Sequence, residues 1–210
     1  MKFDELSLTA KEHALYEYCE FLARMNYWWE PLMEDLKEEL KNEYGLVDVN
    51  VMFQLAYVQS DTVVFTLEHE ALNNALLAKA GLDSAGVIAE RLARRFNVPE
   101  DYIPELEDEL LHNSALNGKV GITSPAGLTV ELDGLHDAIY ECSMGGKIDG
   151  EAVQEEIDTI DGAVNEALYD RAKQFYHELD REWEQLCTED ELREAADANN
   201  WDFDENGDLI

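Results

Sequence analysis

Nine apolar residues between Val153 and Leu186 constrain this chain more than any other feature. Val153, Ile157, Ile160, Val164, Leu168, Phe175, Leu179, Trp183 and Leu186 lie three or four apart, with one longer step. That spacing follows one face of a helix with 3.6 residues per turn. It predicts a helix of about 37 residues from near Gly150, roughly 55 Å long at 1.5 Å per residue. Gly162 is the point where such a helix could break or kink.

The rest of the chain reads as shorter elements. Thr9-x-x-Glu12 has the form of a capping box for a first helix, with Ala14, Leu15, Tyr18, Leu22 and Met25 inward. A second helix is expected from Trp28 to about Tyr44, with Trp29, Leu32, Met33, Leu36 and Leu40 inward and Gly45 as its stop. VDVNVMFQLAYVQ (47–59) alternates as a strand, and TVVFTLEHE (62–70) follows as its partner, with Ser60 and Asp61 near the turn. Helices are expected at 71–80 and over AGVIAERLARRF, ending near Phe96. Pro99 and Pro104 punctuate an acidic segment. GKVGITS and GLTVELD, within 118–133, form a second strand pair around Ser124 and Pro125. Thr188-x-x-Glu191 caps a short last helix. There is no internal repeat and no clear linker. The expectation is one acidic α+β domain over 1–210: a small, mostly antiparallel sheet covered by helices, with a long acidic C-terminal helix and a terminal hairpin.

The terminal hairpin has a competing reading. Asp202 to Asp208 spells D-x-D-x-N-G-D, the opening of an EF-hand calcium loop. Such a loop needs a bidentate Glu at its twelfth position, and Ile210 is only the ninth. Asn206-Gly207 between alternating apolar residues is instead a strong hairpin signal. The hairpin is preferred, calcium binding is kept as an alternative, and no metal or other cofactor is expected.

Charge narrows function further. The 210 residues hold 48 Asp and Glu against 15 Lys and Arg, a net −33. Twenty aromatic residues, nine Tyr, seven Phe and four Trp, argue against a disordered acidic tail. Direct binding to nucleic acid or to an anionic membrane is disfavoured by the sign of the field. Arg91, Arg94 and Arg95 form the one basic cluster and are expected to pair with acids on a helix face. No run is apolar enough to span a membrane, and MKFDELSLTAKEH has no signal-peptide pattern. Cys19, Cys142 and Cys187 are odd in number and widely spaced, as expected of reduced thiols in a cytoplasm.

Catalytic signatures are weak. His13, His69, His112, His136 and His177 show no metal-ligand spacing, and no HExxH, nucleophile elbow, phosphate loop or GxGxxG occurs. Cys142 reads as a buried thiol rather than a nucleophile. A non-enzymatic role is expected.

The acids themselves are the candidate site. On the long helix they are Glu151, Glu155, Glu156, Asp158, Asp161, Glu166, Asp170, Glu178, Asp180, Glu182 and Glu184. The second helix adds Glu34, Asp35, Glu38 and Glu39. Helices hold such charges at fixed spacings. Duplex DNA carries one charge per about 1.7 Å of axis, so 33 charges match roughly 55 to 60 Å of duplex. A long acidic helix is then a candidate imitation of the phosphate backbone. Its partner would be a host DNA-binding protein with a basic cleft, steered by charge. The competing reading is an acidic surface that serves solubility alone.

Three stretches carry a resemblance: YWWEPLMEDLKEEL, QLAYVQSDTVVFTLE and LREAADANNWDFDENGDLI. Together they resemble a family of small acidic proteins of tailed bacteriophages, labelled antitoxins of a toxin–antitoxin stability system. That family commonly carries S-Q-G-D-G-x-x-F at the strand turn. Here Gln59, Asp61 and Phe65 match, while Ser60 and Thr62 replace the glycines. The charge also resembles that of phage DNA mimics that block restriction enzymes or DNA gyrase. The two resemblances imply a phage accessory protein acting in the cytoplasm of an infected bacterial host. DNA gyrase and restriction enzymes are the leading expected targets. The alternative is an antitoxin that neutralises a basic toxin by direct binding. A homodimer stays open as the oligomeric state.

Overall fold

The fold is α+β. In a computed structural model the described residues are 1–25, 27–54, 62–122, 127–143 and 149–210. The chain divides into two compact units, Met1–Glu34 with His177–Ile210, and Asp35–Tyr176. Two helices, α2 (Glu30–Glu43) and α7 (Gly150–Leu186), contribute residues to both units.

The larger unit is built on a four-stranded antiparallel meander, β1 (Val49–Gln54), β2 (Thr62–Glu70), β3 (Ala115–Ile122) and β4 (Leu128–Glu131), in that order. Phe65 of β2 lies opposite Val51 on one side and Val120 on the other. Val63, Phe65 and Leu67 are fully buried at alternate positions, which fixes the register, since a one-residue slip would turn all three outward. The expected strand over 47–59 is realised as Val49–Gln54. Its continuation over 55–59 and the turns at Ser60-Asp61 and Ser124-Pro125 lie outside the described residues.

Helices α3 (Asn74–Lys79) and α4 (Ala85–Phe96) follow β2. The Asn73 side chain caps α3 by accepting from Leu76 N–H at 2.9 Å. In α4, Ile88, Ala89, Leu92 and Ala93 are buried while Glu90, Arg91, Arg94 and Arg95 face out. Gly45 ends α2 as expected. Its φ is +68°, Leu46 N–H reaches back to Leu40 carbonyl at 3.0 Å, and a Cβ there would lie 2.6 Å from Asn73 Oδ1. Two further helices, α5 (Ile103–Leu111) and α6 (Asp133–Cys142), occupy stretches with no helical expectation. Pro104 sits in the first turn of α5, where its missing N–H has no intrahelical partner to lose.

The smaller unit joins the two ends of the sequence. It holds α1 (Leu8–Met25), α8 (Glu189–Asn199) and a terminal hairpin. Phe3, Leu6, Ala10, Ala14, Leu192, Ala196 and Phe203 form its core. Met1 N donates to Phe203 carbonyl, and Phe203 N–H donates back to Met1 carbonyl, both at 2.8 Å. Trp28 packs on Trp183 with ring centroids 5.3 Å apart. Helix α1 starts one residue before the expected Thr9. Ser7 supplies the cap, its Oγ accepting from Ala10 N–H at 3.2 Å. Met25, expected inward, is 48% exposed. Thr188 caps α8 as read, accepting from Glu191 N–H at 3.3 Å.

The terminal hairpin closes through a Phe203–Leu209 bridge. Asp204 Oδ1 accepts the N–H groups of Asn206 (2.8 Å) and Asp208 (3.0 Å), so this carboxylate organises the turn. Gly207 is buried with φ +97°, and a Cβ there would meet Ala10 carbonyl at 2.1 Å. Among the described residues no group of three His, Cys, Asp or Glu could hold a metal ion, and no helix is long and apolar enough to cross a membrane.

Candidate acidic binding surface

Helix α7 spans the 37 residues that its apolar spacing predicts. Within the larger unit it buries Val153, Ile157, Ile160, Val164 and Leu168. At 100° per residue the exposed acids Glu151, Glu155, Asp158, Glu166 and Asp170 fall within about 120° of the opposite face. The helical rise sets their spacing. Glu151 to Glu155 and Glu166 to Asp170 are each about 6 Å apart along the axis, and Glu155 to Asp158 about 4.5 Å. One strand of duplex DNA places a phosphate every 3.4 Å. An i,i+4 pair therefore matches about every second phosphate. A gap of about 12 Å separates Asp158 from Glu166.

The candidate acids are not equivalent. Glu156, its side chain only 14% exposed, is gripped by Arg91 at 3.2 Å and by Arg95. Glu155 meets Arg95 at 3.4 Å. Arg91 also reaches Asp83 (3.7 Å) and Arg94 pairs with Glu90 (3.0 Å), so the basic cluster pairs with acids as its spacing suggests. The Arg95 pKa is raised above the ordinary guanidinium value, chiefly by its hydrogen bond to Glu156. Asp161 turns toward the sheet, and its Oδ1 accepts Val130 N–H at 2.7 Å. Asn165, one turn on, accepts Leu128 N–H (3.1 Å) and donates to Leu128 carbonyl (2.8 Å). Helix α7 thereby satisfies backbone groups of β4, an edge strand that would otherwise invite pairing with another chain.

On α2, Asp35 and Glu38 are exposed, but Glu39 is not a free surface charge. It takes a bidentate contact from Arg171, at 2.8 Å to Nε and 2.7 Å to Nη2, and the Arg171 side chain is only 5% exposed. In the smaller unit Glu34 and Glu184 are exposed, while Glu178, Asp180 and Glu182 are half-buried. Among the described residues, the part of the candidate surface without a cation partner thus centres on Glu151, Asp158, Glu166 and Asp170, with Asp35 and Glu38; Asp158 accepts from Gln154 Nε2 at 2.8 Å and Glu38 from Asn42 Nδ2 at 3.4 Å. The sequence carries no signal for the roles of Glu39, Glu156 and Asp161, because their partners lie 31 to 132 residues away.

The thiols offer little nucleophilic chemistry. Cys142 is pushed up by burial and then by Glu105 and Glu141, so its thiolate is disfavoured. Burial likewise raises Cys19 and Cys187. Among the histidines, His13 approaches Asp208 at 2.9 Å, His112 approaches Asp108 at 2.9 Å, and His136 approaches Asp137 at 3.7 Å.

Comparison with protein-family models, with curated proteins and with solved structures returns no match. The functional reading therefore rests on the chain's own residues.

Proposed function

We propose that this protein is a non-enzymatic, phage-encoded DNA mimic that occupies the DNA site of a host enzyme, with DNA gyrase or a restriction enzyme as the leading target. The observation that supports it best is the row of exposed carboxylates on one face of α7, held by a buried opposite face, whose i,i+4 pairs match about every second phosphate of one strand. The protein acts in the cytoplasm of the infected bacterium, where such enzymes work. A basic cleft recognises the row by charge, so binding weakens as salt rises. No base is presented, so the mimic competes at contacts that position DNA rather than at those that read its sequence.

Replacing Glu151, Asp158, Glu166 and Asp170 together by Gln or Asn removes four charges while leaving the acids that hold the fold in place. In gyrase supercoiling and restriction-cleavage assays the native protein should inhibit at least one enzyme. Added duplex should relieve that inhibition, and the fourfold variant should be weaker by about tenfold or more. Full inhibition by a folded fourfold variant would move the site off this face. Failure of the native protein against every DNA-binding enzyme tested, with capture of a small basic protein instead, would favour antitoxin action.

A further inference from the structure

The smaller unit carries a feature of different chemistry from its acidic surroundings. A groove of about 340 Å³ lies between α1 and the terminal hairpin. Tyr18 and Phe21 of α1 stand edge-on to Trp201, with centroids 6.2 and 6.4 Å away and planes at 67° and 88°. Ala14, Leu192 and Phe203 close the floor. Phe21 remains 46% exposed and Leu209 55% exposed at its edges. The volume lies near the lower end of the roughly 300–1,000 Å³ typical of binding pockets. It suits one or two large side chains.

Charge selects what brings those side chains. Glu17 and Asp208 border the groove; Asp208 also meets His13 at 2.9 Å through Oδ1, and the lining Arg24 faces Glu20 at 3.5 Å. The unit as a whole holds 20 Asp and Glu against 5 Lys and Arg, a net −15. A neutral apolar segment gains nothing from that rim, and an acidic one is repelled. We infer that this groove is a docking site for a basic segment of a protein partner, seating one aromatic or leucine side chain on Tyr18, Phe21 and Trp201 while flanking Lys or Arg residues meet Glu17 and Asp208. The groove adds apolar specificity to an attraction that charge alone makes indiscriminate. It does so whether or not the acidic face of α7 competes with DNA.

The test uses two synthetic peptides of equal charge, one Lys/Arg-rich with a central Phe and one with Ala in its place. Each is titrated into the full-length, isotope-labelled protein and followed by amide chemical shifts. The Phe peptide should bind about tenfold or more tightly than the Ala peptide. Its additional shifts should cluster at Ala14, Tyr18, Phe21, Leu192 and Leu209. Phe21→Ser and Leu209→Ser both change exposed side chains and should fold normally. Each should reduce the preference for Phe to less than about twofold while leaving charge-driven binding of the Ala peptide intact. Equal binding of the two peptides, or a preference that survives both substitutions, would overturn the assignment. So would sedimentation showing a native dimer that Phe21→Ser dissolves, since the groove would then hold a second copy of the chain.

Discussion

At the scale of single residues, the same side-chain type does several jobs. His13 sits beside Asp208, with Glu17 and Asp204 adding to the local field, and its pKa is raised above the ordinary 6.5, chiefly by the hydrogen bond to Asp208. Asp204 is lowered below its ordinary 3.8 by the backbone N–H of Asn206 and then that of Asp208. The signs of the two contributions differ. The histidine's is complete below 6.5 and fades as pH rises through its raised value. The aspartate's is complete above 3.8 and fades as pH falls through its lowered value. The hairpin should therefore be held most firmly between those limits. In an NMR titration His13 should titrate above 6.5, and Asp208→Asn should bring it back toward that value. A native His13 titrating at or below 6.5 would remove the pair from this account.

Glu39 and Arg171 give a sharper residue-scale contrast. Removing Glu39 takes a bidentate carboxylate from a guanidinium whose side chain is only 5% exposed, while removing Arg171 leaves a 29% exposed carboxylate that can be rehydrated but also empties the space the arginine fills over Phe175. Glu39→Ala should cost about 1.5–3 kcal/mol in denaturant unfolding, the scale of hydrogen bonds to a charged group, and Arg171→Ala at least as much, because its buried packing over Phe175 is lost as well. Equal, small losses would mean that the pair contributes little to the fold. None of this is legible in sequence. Glu39 sits in an acidic helix like its neighbours, and only the fold brings it to Arg171.

Among the elements, α7 was the most legible and also carries the candidate site. Its apolar period is long enough to average out local exceptions, so its span matches the structure closely. β2 and α4 are equally clear, because a β-branched apolar run beside an alternating partner and a strong amphipathic face leave one solution each. Helices α5 and α6 were missed. Each is short, and the proline that reads as punctuation in α5 is tolerated in a first turn. Side-chain support of the β4 edge was equally invisible, since it depends on α7 lying beside that strand. Asn165→Ala should lose about 1–3 kcal/mol, because it strips partners from backbone N–H and carbonyl groups of Leu128. Asp161→Asn keeps an acceptor for Val130 and should cost less than Asp161→Ala. An unchanged unfolding midpoint for Asn165→Ala would show that water replaces the contact freely.

For the whole molecule, charge governs behaviour. The border between the two units falls within α2 and α7, which is why no linker-like run marks it in the sequence. A net −33 implies strong self-repulsion, relieved where Arg91, Arg95 and Arg171 answer acids and least relieved at Glu151, Asp158, Glu166 and Asp170 on the outer face of α7. Raising ionic strength from 0.01 to 0.15 M shortens the screening length from about 30 to 8 Å. The melting temperature should rise by at least about 3 °C over that range, the equivalent of roughly 1 kcal/mol for a chain of this size. A melting temperature insensitive to salt would mean that the exposed acids repel one another too weakly to form a concentrated anionic surface.

The most direct test is capture from bacterial lysate with the tagged native protein, elution with duplex DNA at constant ionic strength, and identification of what is released. Mimicry predicts a DNA-processing enzyme that duplex displaces and that the Glu151, Asp158, Glu166 and Asp170 variant fails to retain. A captured protein that duplex cannot displace, or one held equally by that variant, would contradict it.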